Sequence, residues 1–262
     1  MNKKAILVVS FGTSYARTRE RTIGAIERAV GEAFPKYQVF RAFTSQMIID
    51  KLKSRDGLEI DNVGNAMEKL AQMGCGEVVV QPTHVIPGEE YDGMMSQVES
   101  FEGRFHKIGC GRPLLGGEAD FHRLMDILLR ATEKQMDGHT AMVFMGHGTT
   151  HSANDIYHKL GEMFHKAGYS RYFVGTVEAE PDIEAGLEAV EGMAVKKVVL
   201  RPLMIVAGDH ANEDMAGSHE DSWKSRFKAK GYEVECVLEG LGELEEIQGM
   251  FVDHVKAVLE GV

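Results

Sequence analysis

The chain has little cysteine, little proline and no long apolar run. Its three cysteines, Cys75, Cys110 and Cys236, are odd in number and far apart. That argues against a disulfide framework, and the lack of any C-x-x-C pair argues against a zinc ribbon. Six prolines stand against 29 glycines, a balance that suits tight strand-to-helix turns better than Pro-rich linkers. No stretch approaches the ~20 apolar residues of a membrane span. The opening MNKKAILVVSFGTS has two lysines and a short apolar run, without the longer apolar region and small-residue cleavage site of a secretory leader. A cytoplasmic location is expected. Positive charge is also scarce: the formal net charge is −11, which argues against a general nucleic-acid binder. Any anionic ligand must therefore find a locally positive site. The familiar signatures G-x-x-x-x-G-K-[ST], H-E-x-x-H and G-x-S-x-G are absent, and Gly146-His147-Gly148 starts a G-x-G-x-x-G that fails at His151.

What the chain does contain is an alternation. Short β-branched runs predict strands at Ala5–Phe11, Gln38–Phe43, Glu77–Gln81, Arg112–Leu115, Thr140–Met145, Arg171–Val177, Lys196–Arg201 and Glu233–Val237. Amphipathic runs predict helices that include Tyr15–Phe34, Asp61–Met73, Tyr91–Phe101, Ala119–Gln135, Ser152–Ala167, Ile183–Glu191, Asp214–Lys230 and Glu243–Leu259. Continuous apolar runs such as Ile6–Val9 and Val198–Leu200 suit strands covered on both faces, as in a parallel sheet. The reading is an α/β protein of two similar doubly wound lobes. Each lobe has a mainly parallel four-stranded sheet flanked by helices, with a cleft between the lobes.

The two-lobed reading rests on an internal repeat. Ala5–Ser14 resembles Ala141–Thr150, and Glu77–Pro82 resembles Lys197–Pro202, at offsets of 136 and 120. The repeat puts the boundary near Gly138, giving lobes at 1–137 and 138–262, with a C-terminal helix open to exchange between them. It also pairs positions at the strand ends: Phe11 with His147, Ser45 with Glu178, and Glu90 with His210. At three strand ends the second lobe thus carries a potential metal ligand where the first carries Phe, Ser and Glu. Ligands of open α/β sheets bind outside the carboxyl ends of the strands, so His147, Glu178 and His210 are expected to converge.

Each residue has a plainer reading. His147, between two glycines at a strand-to-helix turn, could bond a nearby carbonyl; Asp209 or Asn212 beside His210 could cap a helix. Glu178 and Glu180 flank Ala179, and either could be a solvated loop carboxylate. Two histidines and a carboxylate suit a divalent transition metal without selecting which one. His151, His158 and His165 recur every seven residues, roughly 10 Å apart on a helix, so one ion cannot bridge neighbouring members. The turns Gly12–Ser14 and Gly148–Thr150 open helices and could hold an anion. His84 lies at the corresponding end of the first lobe, matched by Met204, with no assigned role.

The runs Leu-Val-Val-Ser-Phe-Gly-Thr-Ser, Met-Gly-His-Gly, Gly-Thr-Val-Glu and Pro-Leu-Met-Ile-Val-Ala-Gly-Asp-His-Ala-Asn-Glu-Asp-Met resemble those of the anaerobic sirohydrochlorin cobalt chelatases. The likeness spans essentially the whole chain, and the Ala-Gly-Asp-His-Ala run is its most specific part. It implies an ATP-independent class II chelatase that inserts Co2+ into sirohydrochlorin, or a close precorrin, in cobalamin synthesis and releases two protons. The family's metal pattern falls on His147, Glu178 and His210, which are also the implied catalytic residues. Ser10, Phe11, Thr13, Glu89, Glu90 and Met204 are expected to contact the tetrapyrrole, with Val85 and Ile86 adding to its apolar wall. His147 is expected to accept a pyrrole proton as well, relayed by Glu89 and Glu90, although one nitrogen cannot hold a metal and a proton together. No permanent cofactor is expected, with cobalt as substrate metal. The partners are the tetrapyrrole and the ion, with no nucleic acid or membrane, and a homo-oligomer is open. Alternatives are iron or nickel insertion into the same macrocycle, or a non-catalytic metal or tetrapyrrole carrier.

Overall fold

The apolar runs become strands buried on both faces. Every residue of Ala5–Ser10 is buried, as is every residue of Thr140–Gly146. The structure, a computed structural model, describes residues 3–261; Met1, Asn2 and Val262, at the ends of the expected lobes, lie outside them. The strands are β1 (Lys3–Ser10), β2 (Gln38–Phe43), β3 (Cys75–Pro82), β4 (Lys107–Cys110), β5 (Thr140–Gly146), β6 (Tyr172–Thr176), β7 (Lys197–Pro202) and β8 (Glu233–Cys236). The helices are α1 (Ala16–Arg21), α2 (Ile23–Ala33), α3 (Gln46–Asp56), α4 (Val63–Gln72), α5 (Glu89–Glu99), α6 (Glu118–Thr132), α7 (Asp155–Lys166), α8 (Ile183–Glu191), α9 (Trp223–Ala229) and α10 (Glu245–Glu260).

Two four-stranded parallel sheets result, ordered β2-β1-β3-β4 and β6-β5-β7-β8. The second order is the first repeated. The backbone repeats with it. Thr83 N donates to Val9 O and Leu203 N to Met145 O, both at 2.8 Å. Thr44 N donates to Ser10 O at 2.9 Å and Val177 N to Gly146 O at 3.1 Å, which makes Ser45 the counterpart of Glu178. Each unit has its own core. In the first, Ala5, Leu7, Val9, Val78 and Val80 meet Met67, Leu70, Met94 and Val98. In the second, Ala141, Val143, Val198 and Leu200 meet Leu187, Val190, Trp223 and Phe227.

The units do not divide the chain at a single point. One runs to Gly116 and takes Gly242 onward; the other is Gly117–Leu241. This differs from the division near Gly138 drawn from the repeat. Helix α6 packs with the second unit through an ion pair of Lys159 with Glu118 at 2.5 Å and through Lys159 over the Phe121 ring. Helix α10 packs on α2, β3 and β4, with Ile247, Met250, Phe251 and Val255 buried.

Four elements depart from the sequence reading. The fourth strand is Lys107–Cys110 rather than Arg112–Leu115. The latter segment is buried at Leu114 and Leu115, but its amides bond the carbonyls of His84 and Val85 instead of a neighbouring strand. The helix expected at Tyr15–Phe34 breaks at Thr22, whose hydroxyl donates back to Thr18 O at 2.7 Å, a bond that competes with helical geometry. Helix α3, not foreseen, is capped by Ser45 and ends at Gly57 with φ +63°. The helix expected over Asp214–Lys230 is a single π-turn, Ala211–Met215, followed by α9, which starts at the Ser222 cap. Among the described residues, no helix is long and apolar enough to cross a membrane.

Candidate metal centre

The three residues singled out by the repeat come from three separate strand-end segments of the second unit. His147 follows β5 directly. Its two glycine neighbours are needed there: a Cβ on Gly146 would strike the Tyr157 ring at 2.3 Å. Gly148 has φ +85°, and a Cβ on it would stand 2.8 Å from Ala179 N. Close approach and left-handed backbone both require glycine. Tyr157 lies buried beneath this turn; burial pushes its phenol up to about 12, against hydrogen bonds from the backbone of Gly148 and His147.

Glu178 lies just past β6, in a loop folded back on itself. Thr176 N donates to Pro181 O at 2.7 Å, and the Thr176 hydroxyl bonds Ala179 O. Asn154 ties this loop to the β5 turn: its Oδ1 accepts from Thr149 N at 3.1 Å, and its Nδ2 donates to Glu180 O at 2.6 Å. Glu178 N donates to His147 O at 2.9 Å, so the two candidate ligands are also joined through backbone. His210 opens the π-turn after β7, a distortion of the kind that recurs at functional sites. Asn212 Nδ2 holds the approach by donating to Gly208 O at 2.7 Å.

Ligand atoms of His147, Glu178 and His210 all lie within 4.8 Å of one another, the one such group of three among the described residues. The Nε2 atoms of the two histidines are 3.1 Å apart, with the rings nearly perpendicular at 88°. Glu178 places one carboxylate oxygen 3.6 Å from His147 Nδ1 and the other 4.0 Å from His210 Nε2. Glu180 is exposed and is not in the group.

The tautomers follow from the outer partners. His210 Nδ1 is 2.7 Å from Asp214 Oδ2, and His147 Nδ1 is 3.0 Å from Gly148 O. Both partners are acceptors, so both Nδ1 atoms carry hydrogen. The two Nε2 lone pairs then face each other across 3.1 Å, an arrangement that only a shared proton or a cation satisfies. An ion about 2.0–2.1 Å from each nitrogen would see them at roughly 100°, between octahedral and tetrahedral angles. The half-exposed Glu178 side chain stands beside the same point.

Of the other residues expected at the site, five belong to the first unit and Met204 to the second. Ser10 is buried and accepts from the Thr83 hydroxyl at 2.8 Å. Thr13 is buried, with its oxygens taken by Tyr15 N and Arg19 Nη1. Phe11 is 39% exposed, a large apolar ring open at a strand end. Glu89 and Glu90 are exposed in the first turn of α5, where the helix dipole favours negative charge. Met204 packs against the second unit's core. His151 accepts from Ala153 N at 3.1 Å and joins no metal group. Sequence reasoning passed over Tyr157 and Asn154, which brace the turn; an Asn eight residues past a strand carries no signal of its own.

A pair of imidazoles and a carboxylate at the carboxyl edge of a parallel sheet is a donor set that suits a divalent metal ion, on the two-lobed parallel α/β fold that class II chelatases share. The chain belongs to the cobalt chelatase (CbiK) family, whose model matches residues 4–260. It is 43% identical to the sirohydrochlorin cobaltochelatase of Salmonella typhimurium, over 98% of this chain and 97% of that one. It is 34% identical to the sirohydrochlorin cobaltochelatase CbiKC of Nitratidesulfovibrio vulgaris, over 100% of this chain and 93% of the other. Among solved structures, SirB from Bacillus subtilis with Fe3+ shares the fold at a TM-score of 0.65 and 13% identity, covering 99% of this chain and 98% of that one. CbiX, described as the terminal enzyme of siroheme biosynthesis in denitrifying bacteria, shares it at 0.57 and 15%, covering 97% and 99%.

Proposed function

We propose that this chain inserts Co2+ into sirohydrochlorin without ATP, as a cytoplasmic enzyme of anaerobic cobalamin synthesis. Its metal is substrate rather than resident cofactor. His147, His210 and Glu178 receive the ion, strip part of its water and present it to the macrocycle. The observation that carries this reading is the 3.1 Å approach of two Nε2 lone pairs, each fixed by an acceptor on its Nδ1. Imidazole and carboxylate ligands hold a hexa-aqua ion firmly enough to desolvate it. Side chains as exposed as these, 42% for His147 and 52% for Glu178, leave a face open for transfer.

The test is the absorbance change of sirohydrochlorin on metallation, followed with Co2+, Fe2+ and Ni2+ in parallel. The native chain is expected to accelerate cobalt insertion catalytically. His147→Ala, with its fold retained by circular dichroism, is expected to lose turnover by about two orders of magnitude or more. A native chain that binds the macrocycle stoichiometrically without speeding the spectral change is a carrier, and that result overturns the enzyme reading.

A further inference from the structure

His147 and His210 each have an acceptor behind the ring that fixes which nitrogen is open to an ion. Glu178 is placed differently. Its side chain is half exposed, and its nearer oxygen stands 4.0 Å from His210 Nε2. Two neighbouring ligands of one ion, each about 2.1 Å from it, lie roughly 3 Å apart, so that oxygen has about 1 Å still to close. Whether it closes is decided by the loop that carries it.

That loop is fastened by Asn154. Residue 154 is the N-cap of α7, where an asparagine ordinarily bonds the first amides of its own helix. The Asn154 side chain makes no such bond. It joins two ligand-bearing segments instead. Oδ1 accepts from Thr149 N at 3.1 Å, on the turn of His147, and Nδ2 donates to Glu180 O at 2.6 Å, on the loop of Glu178. One carboxamide thus uses its acceptor on one segment and its donor on the other; a carboxylate of the same size offers only the acceptor.

The tether and the ligand depart from the repeat together. At the offset of 136 that relates β1 to β5, Asn154 falls on Thr18, inside α1. Ser45, the counterpart of Glu178, caps α3 by accepting from Ile48 N at 3.4 Å, so the chain after β2 runs directly into a helix. After β6 the chain instead crosses residues 177–182 before α8 begins. A carboxylate on such a loop needs a fastening that a helix-capping serine does not.

We infer that Asn154 is the positioning residue for Glu178: by tying the loop to the β5–α7 turn, it lets the carboxylate reach the ion as third ligand. The inference rests on the reading of the metal centre above. Asn154 is not itself in the ligand group and acts through Glu178. A loop released from Asn154 has to be ordered each time the ion binds, and that cost is subtracted from affinity.

The experiment is a set of Co2+ titrations on the full chain: native, Asn154→Leu, Glu178→Ala and the two substitutions together. Affinity is read with the visible d–d bands of the bound ion, whose position and intensity report its ligand set. Asn154→Leu is expected to weaken binding about tenfold and to move the bands to those of Glu178→Ala. The double variant is expected to bind no more weakly than Glu178→Ala, since the tether then has no ligand to position. Asn154→Asp keeps the acceptor for Thr149 N and loses the donor to Glu180 O, and it decides the question if the leucine variant does not fold. Its bands are expected to match those of Glu178→Ala; they are read in place of affinity because the added charge attracts the cation by itself. Native bands in either Asn154 variant, or losses that add in full in the double variant, overturn the inference. If Glu178→Ala alone leaves affinity and bands native, Glu178 is no ligand and the reading of the centre fails instead; that arm is measured first.

Discussion

Asp214 and the Gly148 carbonyl have the same task on two different histidines: each takes the Nδ1 hydrogen and so leaves an Nε2 lone pair facing the other ring. The Asp214 contact is the stronger of the two, being a charge-assisted bond of 2.7 Å. Asp214→Asn keeps the shape and removes the charge. It is expected to weaken Co2+ binding by about 10- to 100-fold, the usual cost of losing a carboxylate behind a ligating histidine, with little change in Tm. Isothermal titration with Co2+ measures this directly. The sequence made His147 and His210 legible because their first-lobe counterparts, Phe11 and Glu90, are chemically different at positions the repeat makes equivalent. It left Glu178 and Glu180 unresolved, since alternation along an extended chain cannot say where a strand stops. Here β6 ends at Thr176, and the loop that follows aims Glu178 at the histidines. The π-turn that brings Asp214 onto the His210 ring has no pattern in sequence.

At the scale of elements, the β5–α7 connection carries His147, and it is held from below by the buried phenol of Tyr157. Tyr157 sits on α7 and meets the backbone of Gly148 and His147 through its hydroxyl. Tyr157→Phe keeps the ring and strands those backbone groups. It is expected to cost about 1–3 kcal/mol of stability, read from denaturant unfolding, and to weaken Co2+ binding by loosening the turn. Most elements could be read from hydrophobic period alone, as β1, β5 and β7 show with their unbroken apolar runs. β4 could not: Lys-Ile-Gly-Cys is short and weakly β-forming, whereas the neighbouring Leu114-Leu115 is apolar because it lies buried beneath a loop. The break at Thr22 escapes periodicity because a threonine hydroxyl bonding back one turn leaves the apolar spacing intact. Helix α3 escaped for a related reason: with Lys51, Lys53 and Arg55 exposed around a thin stripe of Ile48, Ile49 and Leu52, its amphipathic signal is weak.

At the scale of the whole molecule, each unit's sheet repeats the strand order of the other, and among the described residues only the second unit carries a group of three candidate ligands. The duplication was legible because sequence similarity survives at the strand ends, where turns restrict residue choice. The C-terminal helix was open to exchange on the sequence alone; the place of α6 was not legible, since it depends on which core its apolar face meets. Removal of residues 242–262 takes Ile247, Met250, Phe251 and Val255 out of the first unit's core. Each such side chain contributes about 1.5–3 kcal/mol, together comparable with the roughly 5–15 kcal/mol that holds a domain folded. The truncated chain is expected to lose the first unit's melting transition and its chelatase activity. Co2+ binding should survive, since all three ligands fall within Gly117–Leu241. Calorimetry and metal titration on the same sample separate the two effects.

The central claim is that His147 and His210 together seat the incoming ion. It is tested most directly by titrating Co2+ into the His147→Ala/His210→Ala double variant and following the visible d–d absorption of the bound ion. The geometry predicts one tightly bound ion per native chain and none in the folded double variant. An undiminished one-to-one site in that variant would mean that cobalt enters elsewhere, and the assignment would be wrong.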